Sequence, residues 1–266
     1  MSSLLSLATK HPVWAALAAT LAGLVLLLLL TGLSSGVLRR PYGHPAPEVL
    51  GRALLVAGLL VLIWRLGGLE GAGVARPGGW TVWLLALAVT LYMGAATLHA
   101  FYGRLLPDLP RLLRLPGAGG AVAVAAFVGL AEELLFRGLV LWILLRVWGG
   151  TRAGVAGAVA LAAVLFAVMH GSQVWTSGLP RAAAGYLVLQ TLLMALWWGA
   201  LVVYGGSLWP AVLAHAAVNA LTALQGLAGP MAVPEVQGYR QLLFLSLPAG
   251  VAAFLLLLWR APLPRP

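Results

Sequence analysis

Long apolar segments recur along the whole chain, and short polar breaks separate them. The first, near Val13–Leu30, follows Lys10 and has about the 18–20 residues that a helix needs to cross a bilayer. Of the 266 residues, 62% are hydrophobic and 8% are charged, whereas a soluble domain has roughly 25% charged residues. The chain is therefore predicted to be an all-α, polytopic membrane helix bundle.

The pattern predicts about eight transmembrane helices in a single transmembrane domain over residues 1–266. They lie near Val13–Leu30, Val49–Leu66, Trp80–Tyr102, Ala121–Trp148, Ala153–His170, Ala182–Tyr204, Leu208–Leu227 and Leu242–Trp259. At about 1.5 Å per residue the fourth segment exceeds a hydrocarbon core of about 30 Å, so it should tilt or project. Between the third and fourth segments, Gly103–Gly120 is predicted to form a loop or a short interfacial helix.

The charge pattern indicates contact with lipid. The net charge of +10 comes from 16 basic residues, which gather near the ends of the apolar segments, where they can contact anionic lipid. No basic patch alternates with aromatic residues, so nucleic-acid binding is not expected. The chain has no cysteine, which excludes thiolate catalysis and cysteine metal sites.

Three ionisable residues, Glu132, Glu133 and Arg137, lie in the middle of the fourth apolar segment. A charge at the bilayer centre costs at least about 2.5–3.5 kcal/mol on insertion scales, so these side chains must face a protein interior. Glu133 and Arg137 are four residues apart and can pair on one helix face. Glu132 is about 100° further round the helix, so it can point elsewhere.

Two further polar motifs lie in or at the edge of later apolar segments. In the first, Phe166 precedes His170 by four residues, and in the second His215 precedes Asn219 by the same interval. Residues at this interval share a helix face. Each motif alone can be structural, since buried histidines and amides hydrogen-bond between membrane helices, and Glu133 with Arg137 can be a structural ion pair.

Taken together, these groups are suited to the activation of a water molecule. Burial in lipid raises the pKa of a carboxyl group and makes a carboxylate a better general base. A neutral imidazole or an Asn amide can donate a hydrogen bond to a developing oxyanion. The same side chains could instead ligate a divalent metal, because His and Glu are common zinc ligands.

The ordered motifs Glu132-Glu133-x-x-x-Arg137, Phe166-x-x-x-His170 and His215-x-x-x-Asn219 resemble those of the CAAX-protease and bacteriocin-processing (CPBP, Abi) family of intramembrane proteases. The resemblance covers about residues 121–227 and includes the type II CAAX prenyl endopeptidases. It implies eight helices around a conical cavity. It also implies that Glu132 activates water and that His170, His215 and Asn219 complete the catalytic site, with Glu133, Arg137 and Phe166 in support.

The resemblance implies hydrolysis of a peptide bond, and we favour a mechanism without a cofactor or metal. Glu132 and Glu133 need not both be ligands, and Arg137 beside a metal cation would be repelled by it. The alternative is a zinc-dependent protease in which Glu132, His170 and His215 serve as ligands.

The family resemblance suggests a peptide substrate near a lipidated C-terminus, in contact with membrane lipid. A bacteriocin or signalling peptide, or a transmembrane segment, are the alternative substrates. The expected location is the plasma membrane of a bacterium or archaeon, as an integral, multi-pass protein. Two other classes compete with the protease: a proton-coupled transporter, which also places carboxylates and histidines near the bilayer midplane, and a non-catalytic membrane scaffold or immunity protein.

Overall fold

The computed structural model describes residues 3–172 and 178–260, and every regular element within them is helical. The elements are α1 (Ser3–Lys10), α2 (Pro12–Leu38), α3 (Pro45–Arg65), α4 (Trp80–Tyr102), α5 (Leu109–Leu113), α6 (Ala118–Glu133), a π-helix (Leu134–Leu141), α7 (Trp142–Trp148), α8 (Arg152–His170), α9 (Arg181–Gly205), α10 (Trp209–Ala228) and α11 (Glu235–Arg260). The predicted all-α bundle is confirmed. The middle of the break predicted at Gly171–Arg181 and the proline-rich tail after Arg260 lie outside the described residues.

Within the described ranges, six helices are individually long and apolar enough to cross a membrane: α2, α3, α4, α8, α9 and α10. The predicted fourth span is not among them because the structure divides it into α6, the π-helix and α7. The predicted last span is helical as α11 but is also outside the six. The chain is thus a multi-pass membrane protein, and the number eight stays a prediction.

The π-helix is the main departure from the predicted secondary structure. It begins at Leu134, directly after Glu133, and all eight of its residues are buried. A π turn widens the helix and changes the direction of the side chains that follow it, and such turns are frequent at functional sites. Arg137 lies within it, so the face that α6 would present to the bundle is altered at this residue.

The predicted first and second spans are longer in the structure than in the sequence pattern. Helix α2 continues past Leu30 to Leu38, and α3 begins at Pro45, before the predicted Val49. The added part of α2 contains Thr31, which is buried. A hydropathy pattern predicts the end of a span at such polar residues. Packing against a neighbouring helix can nevertheless continue the helix through them.

Glycines allow close approach between helices, and two of them lie on α2 and α3. A Cβ atom on Gly51 of α3 would lie 2.7 Å from Cα of Thr31 on α2. A Cβ atom on Gly23 of α2 would lie 2.5 Å from Cδ2 of Leu135 in the π-helix. Small residues allow membrane helices to come into such contact. The first contact joins α3 to α2, and the second joins α2 to the π-helix of the motif-bearing part.

The connection between α3 and α4 fixes the start of α10, the helix that carries His215. The amide of Leu208 donates to the carbonyl oxygen of Gly73 at 3.0 Å. Ser207 Oγ donates to the carbonyl oxygen of Arg76 at 2.6 Å, and Trp209 Nε1 donates to that of Val74 at 2.9 Å. Helix α10 then packs along α6, while α9 packs against α8 and α11.

Candidate active site

The ion pair between Glu133 and Arg137 lies at the centre of the motif region. Their side chains are 0% and 2% exposed, and Arg137 Nη1 donates to Glu133 Oε1 at 2.9 Å. Arg137 Nη2 donates to the backbone carbonyl oxygen of Ala195 on α9 at 3.2 Å. The pairing predicted from the four-residue spacing is confirmed, and it links the motif helix to α9.

Two aromatic rings cover the guanidinium of Arg137. Its Cζ lies 4.6 Å from the ring centre of Phe166 and 5.5 Å from that of Trp198. The negative face of an aromatic ring attracts a cation, most strongly where water is excluded. Phe166, predicted only as a supporting residue, is 1% exposed and is therefore a wall of the site as well as part of a motif.

His215 connects the two carboxylates. Its Nδ1 lies 2.9 Å from Glu133 Oε1, and its Nε2 lies 3.6 Å from Glu132 Oε2. The ring stacks on Trp198 with a centroid distance of 4.2 Å and an interplanar angle of 16°. Sequence reasoning did not identify Trp198, because it lies outside the three motifs, among many apolar residues of α9.

The contacts of His215 restrict its hydrogen-bonding role. An ionised Glu133 carboxylate can only accept, so the Nδ1 atom of His215 must carry a proton. In a neutral ring, Nε2 would then present a lone pair and could not donate. Donation from Nε2 therefore requires a proton on both nitrogens of His215. The predicted role of a neutral His215 as a donor to an oxyanion thus does not fit this arrangement.

His170 is at the C-terminal end of α8 and is half-buried. Its Nδ1 lies 3.0 Å from the backbone carbonyl oxygen of Phe166, one turn earlier. A carbonyl oxygen only accepts, so Nδ1 holds the proton and Nε2 keeps a lone pair in the neutral ring. The ring also lies 4.7 Å from that of Phe166. His170 can therefore accept or pass on a proton through Nε2.

A cavity of about 200 Å³ contains both Glu132 and His170 among its lining residues. Its other walls come from α2, α3 and the π-helix and are mainly apolar. The side chain of Glu132 is 28% exposed, although that of the adjacent Glu133 is 0% exposed. The two carboxylates therefore have different environments, as the predicted angle between them requires. Glu132 faces the cavity and Glu133 faces the ion pair.

The structure brings most of the predicted site residues together. Glu132, Glu133, Arg137 and His215 form a continuous group of contacts, called here the buried charge cluster. His170 joins it through the cavity and through Phe166. Asn219 is half-buried on α10, one turn after His215, and the described residues provide no hydrogen bond to its side chain.

The alternative zinc ligands Glu132, His170 and His215 do not form a ligand set in this arrangement. Among the described residues, no three His, Asp or Glu side chains are grouped so that they could hold a metal ion. The choice between metal-free and zinc-dependent hydrolysis stays a prediction.

Fold and site together define a multi-pass, all-helical membrane protein with a mainly apolar cavity that contains Glu132, beside a buried charge cluster. Residues 115–221 match the family described as Rce1-like, type II CAAX prenyl endopeptidase. The match covers 107 of the 266 residues, supports the family resemblance recognised from the three motifs, and implies a membrane protease. The matched segment contains α6, the π-helix and α8, as well as the part of α10 that carries His215 and Asn219. No curated protein and no solved structure matches the chain.

Proposed function

We propose that the protein is an intramembrane endopeptidase in which Glu132 activates a water molecule for attack on a peptide bond. One observation carries this proposal. Glu132 Oε2 is buried and accepts no hydrogen bond from the described residues. It lies 3.6 Å from His215 Nε2, slightly too far for a direct hydrogen bond. A polar contact of this length is suited to a bridging water.

The neighbouring carboxylate is poorly suited to the same task. Glu133 Oε1 already contacts both Arg137 and His215, and the side chain is 0% exposed. A general base must reach the proton that it removes, directly or through one water. Glu132 lines the cavity, so it can meet that condition, while Glu133 orients Arg137 and His215.

The reaction then uses Glu132 and His170 in the cavity wall, together with His215 and Asn219 of α10. Glu132 accepts a proton as the oxygen of water attacks the scissile carbonyl carbon and forms a C–O bond. The resulting oxyanion accepts hydrogen bonds from His215, when both ring nitrogens are protonated, and from the amide of Asn219. As the C–N bond breaks, the proton held by Glu132 passes to the leaving amine, directly or through Nε2 of His170.

The cavity indicates the class of substrate. Its walls are mostly apolar, and it lies among helices that are long enough to cross a membrane. A peptide already held at the membrane, by a lipid group or by an apolar segment, reaches such a site without first crossing water. The name of the matched family, which includes prenyl endopeptidase, supports a peptide attached to lipid.

The proposal is tested by incubating the purified protein in lipid vesicles with a library of lipidated and unlipidated peptides. Mass spectrometry of the new termini identifies any cleaved bond. The same library is given to Glu132→Gln, which keeps size and hydrogen bonding but cannot take a proton from water. Glu70→Gln is the matched control, since Glu70 is 80% exposed and lies in the connection after α3.

We expect cleavage by the wild type and by Glu70→Gln, and no product from Glu132→Gln. Loss of a general base lowers rates by about 100- to 10,000-fold. Equal cleavage by all three proteins, or no cleavage of any peptide by the folded wild type, would contradict the proposed function. The second result would favour the scaffold or transporter reading.

A further inference from the structure

The tryptophan that stacks on His215 lies outside all three motifs. Trp198 belongs to α9 and His215 to α10, and their ring centres are 4.2 Å apart with an interplanar angle of 16°. Both side chains are buried. Because close-packed atoms cannot overlap, a flat ring that is this near and this nearly parallel limits how far the imidazole can turn.

The hydrogen bond to Glu133 does not fix the imidazole by itself. Nδ1 of His215 lies 2.9 Å from Glu133 Oε1, and a single hydrogen bond still allows the ring to tilt. A tilt would move Nε2 relative to Glu132, whose Oε2 is 3.6 Å from it. The plane of the ring therefore needs a second restraint, and the stacked indole of Trp198 provides one.

The indole is itself held in place by the buried charge cluster. Cζ of Arg137 lies 5.5 Å from the centre of the Trp198 ring, and the Phe166 ring meets the indole edge-on with a centroid distance of 6.3 Å. Arg137 also donates to the carbonyl oxygen of Ala195 at 3.2 Å. Ala195 and Trp198 are three residues apart and share a helix face. One face of α9, a helix without any motif residue, thus contacts the cluster at two positions.

Trp198 is not placed to contact a peptide in the cavity. The described residues that line the cavity include Glu132 and His170 but not Trp198. The indole can therefore act on the proposed reaction only through its neighbours, of which His215 is the one that stacks on it. An interaction that matters only in the transition state contributes to kcat, whereas an interaction that binds the substrate contributes to KM.

We propose that Trp198 is a positioning residue that holds the His215 ring with Nε2 directed at Glu132. This inference rests on the proposed function, in which His215 donates to the oxyanion. Trp198 lies between the second and third motifs, and none of the motif residues can replace it because the stack requires a flat ring on α9. Another aromatic side chain at this position should preserve the effect, and an aliphatic or thioether side chain should not.

The test compares three variants of α9 with the wild type in zwitterionic vesicles. Trp198→Met removes the flat ring and keeps a long, adaptable apolar side chain that can fill the space. Trp198→Phe keeps a flat ring. Trp197→Met is the matched control, because Trp197 is also buried and lies about 100° round the helix from Trp198. For each protein, kcat and KM are measured with one cleaved peptide, and Tm is measured in detergent.

We expect Trp198→Met to have a kcat about 100-fold below that of the wild type, with KM unchanged. A displacement of about 1 Å caused by a residue away from the reacting atoms can have an effect of this size. Trp198→Phe should restore most of the wild-type kcat. Trp197→Met should lower Tm about as much as Trp198→Met, because each removes a buried indole, but should keep kcat. Trp198→Leu replaces Trp198→Met if the latter does not fold.

Nuclear magnetic resonance tests the stack independently of activity. The ring current of an indole shifts the signals of protons above its face upfield. In protein with isotopically labelled histidine, the ring protons of His215 are identified by their absence from His215→Gln. They should be shifted upfield in the wild type, less so in Trp198→Phe, and not in Trp198→Met.

Three kinetic results would overturn the inference. A wild-type kcat in folded Trp198→Met would show that His215 needs no stacked ring. Equal losses of kcat in Trp198→Met and Trp197→Met would show that the effect is one of general packing. A higher KM with unchanged kcat would place the indole in contact with the peptide. His215 signals that do not change in Trp198→Met would contradict the stack alone, whereas failure of the wild type to cleave any peptide would contradict the proposed function.

Discussion

Replacement of Arg137 by Ala tests the role of the buried charge cluster. The change removes the guanidinium that pairs with Glu133, whose side chain is 0% exposed, and also a donor to the carbonyl of Ala195. Breaking a buried ion pair by removing one partner costs about 3–5 kcal/mol, because the remaining charge is left uncompensated. For a chain of this size each kcal/mol lowers Tm by about 2–4 °C. The expected decrease in Tm is therefore roughly 6–20 °C.

The assay is thermal unfolding of purified protein in one detergent, followed by circular dichroism. Arg146→Ala is the matched control, since Arg146 is exposed in α7 and lies 5.5 Å above the Trp142 ring. An exposed cation–π contact contributes only about 0.5–1 kcal/mol, so the Tm of Arg146→Ala should be at most about 4 °C below that of the wild type. Proteolytic activity should fall in Arg137→Ala, because Glu133 would no longer hold His215 in a fixed position.

A Tm for Arg137→Ala equal to that of the wild type would refute this reasoning. The double variant Glu133→Gln/Arg137→Gln provides a second check, since it removes both charges at once. It should be more stable than Arg137→Ala, because no unpaired carboxylate is left in the protein interior. If the double variant is less stable, an unpaired charge is not the cause of the loss.

Two further predictions concern helix packing and metal dependence. Gly51→Ala should lower the free energy of unfolding by about 1–3 kcal/mol, because the added methyl group would overpack against Thr31. Gly58→Ala on the same helix should not, because a Cβ atom there meets nothing within 4 Å. Equal Tm values for the two variants would show that the contact between α2 and α3 is not tight. Proteolytic activity should survive extended dialysis against a strong chelator, because a glutamate base needs no metal. Near-stoichiometric zinc in the active protein, with activity that disappears on its removal and returns with it, would contradict this mechanism.

The sequence was informative where the signal is local. Apolar segment lengths predict the helices, and the four-residue spacing predicts the pair between Glu133 and Arg137, which the structure contains at 2.9 Å. The offset between Glu132 and Glu133 likewise predicts their separate environments. Each of these properties depends on the period of one helix, so a single segment is enough to reveal it.

The parts that escaped prediction depend on tertiary contacts. Trp198 stacks on His215, and Arg52 enters the cavity from α3, yet neither is distinguished locally from the many other Trp and Arg residues. The π-helix that contains Arg137 has no turn or proline to mark it. Such positions become visible only when helices distant in sequence are brought side by side.

The central claim is tested most directly by peptide hydrolysis in water enriched in ¹⁸O. Product formation and ¹⁸O incorporation are compared between the wild type and Glu132→Gln at equal folded fractions. The account predicts that the wild type places one ¹⁸O atom in the new C-terminal carboxyl group of the product. It also predicts that Glu132→Gln, with an unchanged Tm, forms about 100- to 10,000-fold less product. Cleavage by Glu132→Gln at the wild-type rate would show that another group activates the water and would contradict the account.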